Sequence, residues 1–134
     1  MATLPMVKKH GTEEHKQKAT HDKNLAEKLH HDNAFPDWVV TCSFYSALHC
    51  VDAYAHKLRI ESFKPSPDEK ISPHRKRELF VERYMRNLFG SYEILRNHCD
   101  QCRYDPEYYR LMLPIVPSTM LKLADQFLSL VKQH

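Results

Sequence analysis

The sequence predicts an all-α protein folded as an antiparallel bundle of four to five helices. Only two glycines occur in 134 residues, which leaves little material for tight β-hairpins or glycine-rich phosphate loops. Apolar residues recur at spacings of three and four along most of the chain, as they do on the buried face of a helix. The length suits one domain, residues 1–134, that buries roughly two thirds of its unfolded surface.

The first predicted helix is polar and has a thin apolar face. Thr12 followed by Glu13 and Glu14 has the form of an N-cap with acidic residues in the first turn, and the helix should continue to about His31. We expect residues 1–11 to be flexible. The inner face of this helix is predicted to consist of Ala19, Leu25, Ala26 and Leu29.

The most hydrophobic run, residues 38–58, is predicted to be the central helix, with Asp37 as its cap. Its polar residues follow one another at spacings of 4, 4, 3 and 4 and so share one face: Thr41, Tyr45, His49, Asp52 and His56. Burying such groups unpaired costs about 1–3 kcal/mol each. This polar stripe should therefore meet water, a ligand, a polar partner helix or a second subunit, as a groove or as a dimer seam.

The second half of the chain begins with a connector, about residues 60–72, and Ser72-Pro73 then has the cap-and-proline form of a helix start. A continuous apolar stripe predicts one long helix from about His74 to Cys102, with a possible kink at Gly90. The stripe consists of Val81, Met85, Leu88, Tyr92, Leu95, Cys99 and Cys102.

Prolines then divide the C-terminal part. Asp105 should cap a short helix that has Pro106 at its first position, and residues 114–117 should interrupt the chain again. The last helix is predicted from about Ser118 to Lys132. Its inner face would contain Met120, Leu123, Ala124, Phe127, Leu130 and Val131.

The charge of the chain is nearly balanced, with 20 basic and 17 acidic residues, so composition alone does not indicate a nucleic-acid binder. The excess lies in residues 56–90, which carry nine basic and five acidic side chains. This segment is either a solvated connector with a charged helix face or an anion-facing surface. No window approaches the ~20 apolar residues of a membrane helix, and the first residues lack an apolar run, so a cytoplasmic protein is expected.

The cysteines are expected to be reduced and to pack as small hydrophobic side chains, because they fall on apolar helical stripes. They are Cys42, Cys50, Cys99 and Cys102. The alternative is a zinc site built from His98-Cys99-x-x-Cys102 and His49-Cys50. We predict no metal ligand and no cofactor.

Several short motifs occur in a recognisable order. They are Ala19 with His21, Asp22, Leu25, Glu27 and Leu29; Pro36-Asp37-Trp38; residues 44–54; His74 with Arg77; Tyr92 with Leu95; and residues 103–106. This ordered set, over about residues 15–131, resembles the small helical HEPN domains (higher eukaryotes and prokaryotes nucleotide-binding). The resemblance implies a four- or five-helix bundle that is often dimeric and is associated with RNA or nucleotides.

Many HEPN proteins resemble metal-independent endoribonucleases in which four to six residues separate the active arginine from a following histidine. No arginine of this chain has a histidine at that interval. After Arg86 the corresponding positions hold Ser91, Tyr92 and Glu93. The sequence therefore departs from the standard ribonuclease motif.

Other residues supply the same chemical types. RNA cleavage without a metal needs a proton acceptor and a cation beside the phosphate, and the candidates are His49, Asp52, His74 and Arg77. Asp52 lies one turn from His49 and is expected to orient the imidazole or raise its pKa. The wider set predicted to bind RNA or a nucleotide is Tyr45, His49, Asp52, His74, Arg75, Arg77, Arg103 and Tyr104.

Three functions remain open from the sequence. The first is a non-catalytic or weakly catalytic HEPN-like protein that binds RNA or a nucleotide. The second is a protein–protein module that forms a homodimer or partners a nucleotidyltransferase or toxin in a toxin–antitoxin pair. The third is a metal-independent endoribonuclease with a non-standard site.

Overall fold

The computed structural model describes residues 11–60, 63 and 70–133, and all regular structure within them is helical. The elements are α1 (Thr12–His31), α2 (Pro36–Lys57), α3 (Pro73–Tyr84), a 3-10 turn (Arg86–Leu88), α4 (Phe89–Tyr104), α5 (Tyr108–Leu111) and α6 (Ile115–Gln133). The predicted all-α bundle is confirmed. Residues 1–10 of the segment predicted to be flexible and most of the predicted connector lie outside the described residues.

Helix α2 is the centre of the bundle and contacts α1, α4 and α6 most extensively. Helix α1 runs antiparallel to it, because Thr12 hydrogen-bonds His56 while Ala19, further along α1, accepts a bond from Ser46. The buried aromatic rings connect α2 to α4 and α6. The Tyr92 ring lies 5.6 Å from Phe44 and 6.1 Å from Phe127, measured between centroids.

Two helix starts differ from prediction. Helix α1 begins at Thr12 itself with Gly11 as its N-cap. Helix α2 begins at Pro36, and its N-cap is Phe35 in a left-handed conformation with φ 48°, so the prediction of Asp37 as the cap is wrong. Proline has a fixed φ and lacks an N–H, which suits the first helical position, and the Asp37 carboxylate then lies in the first turn, where the helix dipole favours it.

The predicted start of α3 is confirmed. The Ser72 side chain accepts a hydrogen bond from the backbone N–H of Arg75 at 3.2 Å, and Pro73 occupies the first position. This satisfies one of the N–H groups that have no partner inside the helix.

The prediction of one long helix from His74 to Cys102 is wrong. Helix α3 ends at Tyr84, Met85 leaves the helical region with φ −129° and ψ 44°, and the chain turns through residues 86–88. Glu78 then contacts Arg96, although 18 residues of continuous helix would separate them by about 27 Å. Helices α3 and α4 are therefore an antiparallel pair.

The reversal has a packing reason. In one straight helix, the residues at one end of the apolar stripe would extend past the bundle into solvent. The turn instead lets Val81 of α3 and Leu95 of α4 pack in the same core. The break lies at Met85 and not at Gly90, which is inside α4 and exposed.

The starts of the two C-terminal helices also differ from the prediction. The carboxylate of Asp105 accepts a bond from the N–H of Glu107 at 3.0 Å, and α5 begins only at Tyr108. Helix α6 begins at Ile115, three residues before the predicted start, because Pro117 falls in the first turn, where a missing N–H costs nothing. The described helices include none that is both long and apolar enough to cross a bilayer.

Candidate functional site

The polar stripe of α2 is divided between two neighbouring surfaces of the same chain. Tyr45 and Asp52 face α3 and α4, where they bind arginines. His49 and His56 face α1, where they bind His15 and Thr12. The stripe was expected to meet water, a ligand, a polar partner helix or a second subunit. In the structure it meets polar side chains of the adjacent helices.

Asp52 and Arg77 form a bidentate ion pair between α2 and α3. Arg77 donates from Nε to Oδ1 at 2.8 Å and from Nη2 to Oδ2 at 3.0 Å, and the two side chains are only 12% and 15% exposed. Burial alone would lower the pKa of Arg77, but the hydrogen bonds and charge of Asp52 outweigh it and raise this pKa. The positive charge of Arg77 is thus paired with the carboxylate of Asp52.

Three arginines, which we call the arginine cluster, lie at the junction of α2, α3 and α4: Arg77, Arg96 and Arg103. Arg96 contacts Glu78 and lies 3.8 Å from Asp100. Arg103 differs from the other two. Within the described residues no carboxylate lies within ion-pair distance of it, and its guanidinium donates to the neutral Tyr45 hydroxyl at 3.0 Å.

Arg103 also lies against an exposed aromatic ring. Its guanidinium carbon is 5.3 Å from the centroid of the Tyr104 ring, and Tyr104 is 73% exposed. A planar cation and a solvent-accessible ring are therefore adjacent at the C-terminal end of α4.

His74 joins the cluster from the first turn of α3. Its Nδ1 is buried without a hydrogen-bond partner in the described chain, and its ring lies 6.4 Å from that of Phe44. Burial lowers the pKa of His74, Arg96 and Arg77 lower it further, Asp100 opposes them, and Arg103 adds to the lowering. The imidazole is therefore neutral at neutral pH.

This lowered pKa predicts a pH-dependent stability. Between the folded pKa of His74 and its ordinary value of 6.5, the unfolded chain binds the proton more strongly, so stability should fall as the pH drops below 6.5. We expect melting temperatures recorded between pH 8 and pH 5 to decrease, and His74→Gln to make that decrease smaller. An identical decrease in the variant would show that His74 does not contribute.

Tyr92 carries a second unpartnered polar atom. Its side chain is fully buried, its hydroxyl has no hydrogen-bond partner in the described residues, and burial raises its pKa. Since a buried hydroxyl without a partner is costly, Tyr92→Phe should increase the free energy of unfolding by about 1 kcal/mol.

The matched control for Tyr92 is Tyr108→Phe. The Tyr108 hydroxyl has a partner, His98 Nδ1 at 2.6 Å, so its removal should decrease stability by about 1 kcal/mol. Urea denaturation followed by circular dichroism measures both. A loss of stability in Tyr92→Phe would mean that its hydroxyl makes a favourable interaction.

A second polar cluster lies between α1 and α2. The Nδ1 atoms of His15 and His49 are 3.1 Å apart, and the potential ligand atoms of His15, His49 and Asp52 all lie within 4.8 Å of one another. Burial lowers the pKa of His49, and this outweighs the raising effect of Asp52. The predicted raising effect of Asp52 is thus present, although the pKa of His49 is lowered overall.

The cysteines behave as hydrophobic side chains. All four are free, Cys50 and Cys99 are buried, and burial raises the pKa of Cys50 to about 12 and that of Cys99 to about 11. Protonated thiols are poor metal ligands. In the described residues, the group of three or more candidate metal-binding side chains contains no cysteine.

The structure thus brings most of the predicted residues together. Tyr45, Asp52, His74, Arg77 and Arg103 meet at the junction of α2, α3 and α4. The other three lie at the edge of this contact set or outside it: His49 faces α1, Arg75 is paired at 2.8 Å with Glu78, which also contacts Arg96, and Tyr104 is exposed beside Arg103.

Sequence reasoning missed three residues that contribute to these sites: His15, Arg96 and Tyr92. His15 and Arg96 had no local signal, because their partners lie on other helices. Tyr92 was identified as part of an apolar stripe and of the HEPN-like motifs, and not as a polar group of the site.

Comparison with protein-family models, curated proteins and solved structures finds no match to this chain. The resemblance to HEPN domains therefore rests on the sequence motifs alone. The functional assignment depends on those motifs and on the geometry of the described residues.

Proposed function

We propose that this protein binds RNA or a nucleotide at the junction of α2, α3 and α4. The observation that carries the proposal is Arg103, an exposed guanidinium that faces a tyrosine hydroxyl where the other arginines of the cluster face carboxylates. Of its five N–H donors, one is used by Tyr45 within the described part of the chain. The others lie on the same planar guanidinium and suit a phosphate, which guanidinium groups bind through paired hydrogen bonds.

Tyr104 supplies a surface for a base. Aromatic side chains in single-stranded RNA sites stack on bases and contribute about 1–3 kcal/mol per base. Tyr104 is exposed beside Arg103, so a phosphate on the guanidinium and a base on the ring are compatible with one nucleotide.

The local charge balance supports an anionic ligand. Arg75, Arg77, Arg96 and Arg103 supply four guanidinium groups at the junction, against the three carboxylates of Asp52, Glu78 and Asp100. The excess is one positive charge. The resemblance to HEPN domains, which are associated with RNA or nucleotides, agrees with this ligand class.

The test is fluorescence anisotropy with a short labelled single-stranded RNA, with AMP and ATP as competitors. We expect binding to weaken with added salt, because phosphate contacts release counterions. Arg103→Ala and Tyr104→Ala should each weaken binding by about 10-fold, the equivalent of one charge-assisted hydrogen bond or one stacked base.

Arg110→Ala is the matched control. Arg110 is an exposed arginine that lies 5.5 Å from the Tyr109 ring, the same arrangement as Arg103 on Tyr104, but it belongs to α5 and not to the cluster. Its removal should leave the affinity unchanged. Equal losses in Arg103→Ala and Arg110→Ala, or no binding at low salt, would contradict the proposal.

The endoribonuclease hypothesis is tested with the same RNA. Incubation in EDTA followed by a denaturing gel would show cleavage fragments if the protein cuts RNA without a metal. That activity must disappear in His74→Ala or His49→Ala. Intact RNA would leave binding as the proposed function.

A second candidate function, association with another copy of this chain, is favoured by an apolar end of the bundle. The α1–α2 turn and the α5–α6 connection enclose a cleft of about 250 Å³, beside which Phe35 and Leu113 are 64% and 67% exposed. The cleft is lined by His30, Asn33, Ala34, Pro36, Val39, Met112, Leu113, Pro114 and Pro117. Exposed apolar patches of this kind are typical of interaction surfaces.

Light scattering coupled to size-exclusion chromatography measures this association. We expect a dimer whose mass falls to that of the monomer in Leu113→Glu. Ile94→Glu, which alters an exposed apolar residue on α4, should leave the dimer intact. A monomer at every concentration would exclude the homodimer.

A further inference from the structure

We propose that His15, His49 and Asp52 bind one divalent transition-metal ion of the zinc class between α1 and α2. Two imidazoles and one carboxylate converge there, with all three potential ligand atoms within 4.8 Å of one another. The two histidines lie away from the Arg103 surface, and the site shares only Asp52 with the junction of α2, α3 and α4, so it goes beyond the proposed binding of RNA.

The separation of the two imidazoles suits a shared ion. Two nitrogens that bind one Zn²⁺ at about 2.0–2.1 Å with a tetrahedral angle lie roughly 3.3 Å apart. The Nδ1 atoms of His15 and His49 are 3.1 Å apart. The carboxylate of Asp52 has to approach by roughly 1–2 Å to complete the same tetrahedral face.

The ligand types and their placement agree with this ion class. Imidazole nitrogens and carboxylate oxygens are established zinc ligands, and three protein ligands with one open position are typical of catalytic rather than structural zinc sites. His49 and Asp52 are one turn apart on α2, and His15 approaches from α1. All three residues are partly exposed to solvent, the Asp52 side chain least, at 12%.

Arg77 supports the carboxylate from the opposite side. It donates one hydrogen bond to each oxygen of Asp52, and each oxygen retains a lone pair. Hydrogen bonds to a ligating carboxylate restrict its orientation and are a regular feature of metal sites. Asp52 therefore binds Arg77 of α3 while its potential ligand atom lies within 4.8 Å of those of His15 and His49.

The test uses tag-free protein treated with EDTA and then titrated with Co²⁺ and with Zn²⁺. We expect one ion per chain, with visible Co²⁺ absorption of the tetrahedral type that Zn²⁺ abolishes. His15→Ala and His49→Ala should each weaken binding by on the order of 100-fold or more, because even the loss of an outer partner of a ligand costs 10–100-fold.

His21→Ala is the control, because His21 lies on the same helix, is exposed and is not part of the cluster. It should bind Co²⁺ as the wild type does. Arg103→Ala should also retain the ion, so that a failure of RNA binding and a failure of metal binding remain distinguishable.

A measurement on the wild-type protein keeps the test valid if a variant does not fold. In NMR spectra, a small amount of Co²⁺ should broaden the ring signals of His15 and His49 before those of His21. The proposal is overturned by no stoichiometric uptake, by uptake unchanged in both alanine variants, or by a sulfur-to-cobalt charge-transfer band. The first result would leave an ordinary hydrogen bond between the two imidazoles as the reason for the short contact.

Discussion

Asp52→Ala is expected to lower the free energy of unfolding by about 3–5 kcal/mol, the usual effect of removing one partner of a buried ion pair. The substitution leaves the guanidinium of Arg77, which is 15% exposed, without its carboxylate. Both bidentate hydrogen bonds are lost with it. The cost arises from an uncompensated charge at low dielectric and not from the small change in apolar area.

Urea denaturation in the presence of EDTA measures this effect without a contribution from bound metal. Asp100→Ala is the control, because that carboxylate is 46% exposed and lies 3.8 Å from Arg96, so its loss should cost less than about 1 kcal/mol. The double variant Asp52→Leu with Arg77→Met should recover most of the stability, because it removes both charges. Equal effects of the Asp52 and Asp100 substitutions would refute the assigned role of the buried pair.

Phe44→Ala is expected to have an effect of similar size, about 3–5 kcal/mol, because a large side chain is removed from a packed core. Phe44 is 1% exposed, and its ring contacts those of Tyr45, His74 and Tyr92 at centroid distances of 5.5, 6.4 and 5.6 Å. These neighbours belong to the junction of α2, α3 and α4. We therefore expect RNA affinity to decrease as well, measured under conditions in which the variant is folded.

Phe35→Ala is the matched control for Phe44. Phe35 is 64% exposed, so its removal should change stability by less than about 0.5 kcal/mol. Thermal melts of the two variants give the comparison. If Phe44→Ala retained wild-type stability, the aromatic packing at the junction would not support the site as described.

The parts of the fold that depend on local physics were predictable. Ser72 and Pro73 determine where α3 begins, and the apolar residues of α2 determine its buried faces. Both act through interactions within a few residues of the chain. The same reasoning identified the α2 stripe as polar groups that need partners. His74, Arg77 and Arg103, named from the sequence as candidates, lie in one region, and their part in binding stays a prediction.

The reversal between α3 and α4 was not predictable from periodicity. The apolar stripe continues through Met85 without a change of phase, because both helices bury a face in the same core. A pattern of this kind is compatible with one straight helix and with two antiparallel ones. The contact between Glu78 and Arg96 distinguishes them.

By itself, the sequence determined that the chain is helical, which faces are apolar, and roughly where every helix except α4 begins. Only the tertiary structure decided which polar groups meet. Arg103 reaches Tyr45 across 58 positions of the chain, and His15 reaches His49 across 34. Such pairs depend on the register and crossing of whole helices, which many packed side chains determine together, and no local spacing encodes them.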